Sequence, residues 1–132
     1  MPRRRPSRTV LDASALLALL NAEPGSEGVA RALPAAALSA VNLCEVVGKL
    51  LDAGLTAQEI RAALAPLALE VHPFERGSAH AAGELRPATR SLGLSLGDRA
   101  CLALARELRA PVLTTDRRWT RLALGVEIRL AR

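Results

Sequence analysis

The chain has 132 residues, enough for one domain with a real hydrophobic core. Half of the residues are hydrophobic but only 2% are aromatic, one Phe and one Trp with no Tyr, so the core must be built from Leu, Ala and Val. The 18 basic residues, all arginine except Lys49, outnumber 13 acidic ones for a formal charge of +5, which suits a polyanionic partner, nucleic acid first. No apolar run reaches the roughly 18 residues of a membrane span. Residues 1–8, MPRRRPSR, read as a basic tail rather than a signal peptide, because the apolar stretch that follows is broken at Asp12 and lacks a cleavage site. Cys44 and Cys101 have no CxxC or Cys/His cluster around them and fall in apolar helical patterns. They read as two buried free thiols in a reducing cytoplasm.

In chain order, RTVLDAS is a β-rich run ending at Asp12, and SALLALLNA carries a helical pattern to the turn EPG. SEGVARAL is a second short helix stopped by Pro34, and AALSA a brief strand. Residues 41–54 form a helix with Gly54 as its stop. TAQEIRAALAPL is a helix opened by the capping box Thr56-x-x-Glu59, and ALEVHPF a strand. ERGSAHAAGELRPATRSLG is mostly helical, with Pro87 interrupting or bending it. LSLGDRACLALARELRA is a helix whose first turn holds Asp98, three residues after Ser95 in a second capping-box pattern. APVLTTD is a strand ending at Asp116, RRWTRLA a short helix and VEIRLA a last strand. The alternation predicts a single α/β domain over residues 9–132, with a mainly parallel central sheet of about four to five strands flanked by helices.

Ligands of open parallel sheets bind at the carboxyl ends of the strands. Asp12 and Asp116 end strands there. A right-handed crossover brings the N-terminus of the Asp98 helix to the same edge. Each of the three also has a plain reading as a helix cap. Glu45 does not, since it stands mid-helix among Leu43, Cys44, Val46 and Val47; its plain reading is a surface pair with Lys49. Asn42, three residues before Glu45, shares its face. Four converging carboxylates cannot all ionise without a cation, and Mg²⁺ or Mn²⁺ takes oxygen ligands. Such an ion activates water and stabilises charge at a phosphodiester.

The segments VLDASALLALL, SAVNLCEVVGKL, LSLGDRACLALA and VLTTDRRW, in this order, resemble the PIN domain family, and within it the VapC-type ribonuclease toxins. The likeness runs from about residue 9 to residue 130, and the third and fourth segments are its most specific parts. It implies that Asp12, Glu45, Asp98 and Asp116 are the acidic metal-binding residues, with Ser14 and Thr114 at the family's hydroxyl positions and Asn42 supporting Glu45. It implies Mg²⁺- or Mn²⁺-dependent cleavage of RNA, tRNA or rRNA among the substrates. It further implies a homodimer silenced by a cognate antitoxin. Hydrolysis by activated water would leave 5′-phosphate and 3′-hydroxyl ends.

Arg99, Arg117 and Arg118 flank the expected site and could grip phosphate, or be solvated surface residues. Trp119 could stack on a base but reads better as packing, and the scarcity of aromatics argues against recognition by stacking. His72 and His80 lack metal-ligand spacing; Glu84 has no assignable place. A phosphatase with D-x-D after its first strand is excluded by Asp12-Ala13-Ser14. A receiver domain is excluded because the only lysine is Lys49. The alternative from another class is a non-catalytic PIN-fold module that binds nucleic acid or protein. The complete acidic set favours the enzyme.

Overall fold

The computed structural model of the protein describes residues 8–132, so the expected basic tail lies outside the described residues except for Arg8, which pairs with Glu70 at 3.0 Å. The strands are β1 (Thr9–Leu11), β2 (Ala36–Ser39), β3 (Glu70–His72), β4 (Val112–Thr114) and β5 (Ile128–Leu130). Among the described residues they form one five-stranded sheet in the order β3-β2-β1-β4-β5, parallel throughout. The helices are α1 (Ala13–Leu20), α2 (Ser26–Ala32), α3 (Ala40–Asp52), α4 (Ala57–Leu64), α5 (Arg76–Glu84), α6 (Arg86–Thr89) and α7 (Leu96–Leu108).

The sheet has an apolar core on each face. Side chains alternate across a strand, so neighbours enter different layers. Val10, Ala37 and Val112 join α5 and α7 on one face. Leu11, Leu38 and Leu113 join α1 to α4 on the other. A sheet covered on both sides needs continuous apolar runs, and β1, β2 and β4 are buried along their whole length. With one Phe and one Trp available, interdigitated Leu, Val and Ala fill both layers.

The local signals behave as their chemistry requires. Thr56 and Glu59 close a reciprocal capping box on α4, and Ser95 and Asp98 another on α7. Gly54 follows the end of α3 with φ +100°, a left-handed conformation that costs a glycine little. Pro87 lies in the first turn of α6, after α5 has ended, because its ring tolerates a helix start and not a helix interior. RRWTRLA forms the expected short helix, of 3₁₀ type, over Arg117–Arg121.

The expectation of two buried thiols holds for Cys101 and fails for Cys44, which is exposed. The cause is helical phase. Asn42, Val46 and Leu50 point inward from α3, and a residue two positions after Asn42 lies about 200° around the helix from it.

Candidate active site

The strand order reverses between β2-β1 and β4-β5, and such a switch point opens a crevice at the carboxyl ends of the two central strands. Asp12 immediately follows β1, and Asp116 lies two residues beyond β4. The N-terminus of α7 carries Asp98 to the same edge, and the first half of α3 carries Asn42 and Glu45.

Asp12 is 4% exposed and fully engaged. It caps α1 by accepting from the Ala15 amide at 2.8 Å. The Ser14 hydroxyl donates to its two oxygens at 2.7 and 2.9 Å, and the Thr114 hydroxyl donates to Oδ2 at 2.6 Å. Each hydroxyl gives its single proton to Asp12 and accepts a backbone N–H in return. Ser14 takes that of Thr115 at 3.1 Å, and Thr114 that of Asp116 at 3.0 Å. The ends of β1 and β4 are thus joined through one carboxylate. Burial still outweighs these bonds and raises the Asp12 carboxyl above its ordinary value; Asp98 adds to the rise.

Glu45 is half-buried, and its Oε1 is buried without a hydrogen-bond partner. Burial raises its carboxyl, followed by the charges of Asp98 and Asp12; Lys49 and the Asn42 amide pull it down by less. The surface pair with Lys49 therefore does not describe it. Asp98 reaches back to cap its own helix, Oδ2 accepting from the Ser95 amide at 3.0 Å. Asp12, Asp98 and Glu45 all add to the burial that pushes the Cys101 thiol well above its ordinary value, so their fields overlap at one place.

Asp116 is placed differently. Arg118 grips it with one edge of the guanidinium, Nε to Oδ1 at 3.1 Å and Nη2 to Oδ2 at 2.8 Å. This fork, ahead of the amide of Arg118, holds the Asp116 carboxyl below its ordinary value. Arg118 also donates to the Leu92 carbonyl at 3.1 Å and feels the charge of Asp98. As the side chains stand, no three Asp, Glu, His or Cys residues among the described ones are grouped to hold a metal ion. The donor chemistry nevertheless fits a hard divalent cation: the candidates are all carboxylate oxygens, they repel one another, and Oε1 of Glu45 is unspent. Sharing an ion would require Asp116 to exchange Arg118 for it.

The other expected residues fall as follows. Asn42, 1% exposed, donates from Nδ2 to the Gly97 carbonyl at 3.0 Å, while its Oδ1 is unpartnered. Arg99 is half-buried and donates to the Ala82 carbonyl at 3.2 Å; Arg117 is exposed. Trp119 is fully buried in the core on the α7 side, which is packing and not a stacking surface. His72 pairs with Glu70 at 2.8 Å; His80 and Glu84 are exposed. Sequence reasoning missed Gly97, against which the Glu45 carboxylate lies. Its signal is a glycine in the first turn of a helix, beside a carboxylate, where propensity disfavours it.

A sequence description of the PIN domain matches residues 9–124. No curated protein sequence matches the chain. Several solved structures share its fold. A toxin–antitoxin complex from Klebsiella pneumoniae superposes with a TM-score of 0.72 at 20% identity, over 94% of this chain and 98% of that one. VapBC2 of Rickettsia felis, bound to a DNA fragment from its promoter, gives 0.71 at 18% identity, over 92% and 97%. VapC20 of Mycobacterium tuberculosis, a toxin that cleaves the sarcin–ricin loop, gives 0.69 at 19% identity, over 90% and 98%.

Proposed function

The chain belongs to the PIN domain family, and from that membership we propose that it is a metal-dependent endoribonuclease, the VapC-type toxin of a toxin–antitoxin pair. The observation that carries the proposal is the group Asp12, Glu45 and Asp98 at the switch point: carboxylates within each other's field, two of them raised by burial, none in an ion pair among the described residues.

Asp12, Asp98 and Asp116 would hold Mg²⁺ or Mn²⁺, with Glu45 directly or through water. A bound divalent ion supplies charge stabilisation at the phosphodiester and a more acidic water. The chain's own residues do the rest. Ser14 and Thr114 fix the Asp12 carboxylate with their only hydroxyl protons, so its orientation is set before substrate arrives. The carboxylates orient the attacking water and take its proton. If Asp116 turned to the ion, the released Arg118 guanidinium would be free to take a phosphate of the RNA, with Arg99 and Arg117 as further candidates. Water attack in line leaves 5′-phosphate and 3′-hydroxyl ends. A VapBC complex and a sarcin–ricin-loop-cleaving VapC among the similar folds support a cognate antitoxin as partner and RNA as substrate; the family resemblance adds tRNA and rRNA as candidates. A homodimer in the cytoplasm completes the reading. No helix among the described residues is long and apolar enough to cross a membrane.

The test is cleavage of total bacterial RNA by antitoxin-free wild type and Asp98→Asn, each with Mg²⁺, Mn²⁺ or EDTA. Discrete fragments are expected from the metal-loaded wild type alone. Ends carrying a 2′,3′-cyclic phosphate would refute the mechanism, since they come from attack by the 2′-hydroxyl. A folded, metal-binding wild type that cleaves nothing would favour the non-catalytic module.

A further inference from the structure

Gly97 is the second residue of α7, between Leu96 and Asp98, and it is buried. It is not there for backbone freedom, because it lies within an α-helix and has no positive φ. Its role is space. A methyl group at this position would overlap the Glu45 carboxylate, colliding with Oε1 and Cδ and meeting Oε2 at 3.0 Å. The carbonyl of the same residue accepts the Asn42 amide at 3.0 Å across 55 positions of sequence. Asn42 stands one turn before Glu45 on α3 and is 1% exposed. One residue of α7 therefore provides both the gap that Glu45 fills and the anchor that sets the distance between α3 and α7.

We propose that Asn42 and Gly97 are a positioning couple that holds Glu45 as a ligand of the divalent cation. Gly97 leaves room for the carboxylate beside Asp98, and Asn42 keeps α3 close enough for it to stay there. Holding two carboxylates together is unfavourable alone because like charges repel, and a cation between them offsets that cost. A side chain at Gly97 would push Glu45 out of the crevice while leaving Asp12, Asp98 and Asp116 in place. The ligand part of this inference rests on the nuclease reading above; the packing part does not.

The experiment compares wild type, Gly97→Ala, Glu45→Ala, the double variant and Asn42→Ala. Thermal unfolding is followed in EDTA, and Mn²⁺ binding by calorimetry. Glycine to alanine inside a helix ordinarily stabilises. Here Gly97→Ala should raise the melting temperature less when Glu45 is present, because the carboxylate must swing aside, than in the Glu45→Ala background. Mn²⁺ affinity should fall about tenfold in Gly97→Ala, as a lost support of a ligand does. It should fall similarly in Glu45→Ala and Asn42→Ala, and no further in the double variant. An equal rise in melting temperature in both backgrounds would overturn the packing claim. Wild-type Mn²⁺ affinity in Gly97→Ala, with weakened affinity in Glu45→Ala, would overturn the positioning claim. If Gly97→Ala does not fold, recovery of folding in the double variant supports the overlap, failure there overturns it, and Asn42→Ala decides the binding claim. Absence of Mn²⁺ binding by folded wild type would instead remove the nuclease reading, while the difference in melting temperature between the two backgrounds would still judge the packing.

Discussion

Asp12 can be made permanently neutral without losing its shape, and Asp12→Asn separates what its charge does from what its hydrogen bonds do. The carboxyl of Asp12 is raised by burial, so the folded protein tolerates the neutral form better than the unfolded chain does. An amide resembles that form but its nitrogen cannot accept the Thr114 hydroxyl, so the relieved charge offsets one lost hydrogen bond and Asp12→Asn should melt close to wild type in EDTA at pH 7. Asp12→Ala sheds the same charge, so the difference between the two variants isolates the hydrogen bonds. The amide oxygen still accepts from the Ala15 N–H and the Ser14 hydroxyl, alanine accepts from neither, and the Thr114 hydroxyl bond to Oδ2 is lost in both. The lost cap is worth about 1 kcal/mol, and the lost hydroxyl bond about 1 kcal/mol more. For a chain of this size about 2 kcal/mol corresponds to roughly 6–10 °C, so Asp12→Ala should melt that far below Asp12→Asn. Circular dichroism measures both. Adding Mn²⁺ should raise the melting temperature of wild type and leave both variants unmoved. If Asp12→Asn melts as low as Asp12→Ala, the charge itself holds β1 to β4, and the argument that Asp12 stands ready for a cation is refuted.

Other outcomes follow from the same geometry. In EDTA, the raised carboxyls of Asp12 and Glu45 make the folded state the tighter proton binder, so the stability they contribute is complete below their ordinary 3.8 and 4.5 and falls as pH rises towards their raised values. A melting series across that window should flatten in the Asp12→Asn/Glu45→Gln double variant. Asp116 acts in the opposite sense: its depressed carboxyl adds stability above 3.8 that is lost as pH falls. Arg118→Ala removes the main cause of that depression, so a carboxyl NMR titration should find Asp116 moved up towards 3.8, and Mn²⁺ affinity should rise because the competing guanidinium is gone; unchanged affinity would mean that Asp116 is not a ligand. Trp119→Ala should cost about 3–5 kcal/mol, or roughly 10–20 °C, because the side chain is fully buried. A shift of a degree or two, with weakened RNA binding, would restore the stacking role.

Much of the molecule was legible before its structure. Alternation of β-rich runs with helical patterns predicted the parallel α/β sheet, and the capping boxes at Thr56 and Ser95 placed two helix starts, because caps and strand periodicity are local properties. The common direction of parallel strands brought Asp12 and Asp116 to one edge, and a right-handed crossover brought the N-terminus of the Asp98 helix there. What the sequence by itself determined is this frame and the choice of residue types at its edge. Contacts between distant segments decided the rest. Whether Cys44 faces in or out depends on which side of α3 meets the sheet. Whether Asp116 meets its fellow carboxylates or Arg118 depends on a turn whose shape the RRW segment sets only when Trp119 is buried. That Gly97 makes room for Glu45, 52 residues earlier in the chain, is a matter of volume between two packed helices. Sequence periodicity carries direction along one element, and tertiary packing alone carries distance between two.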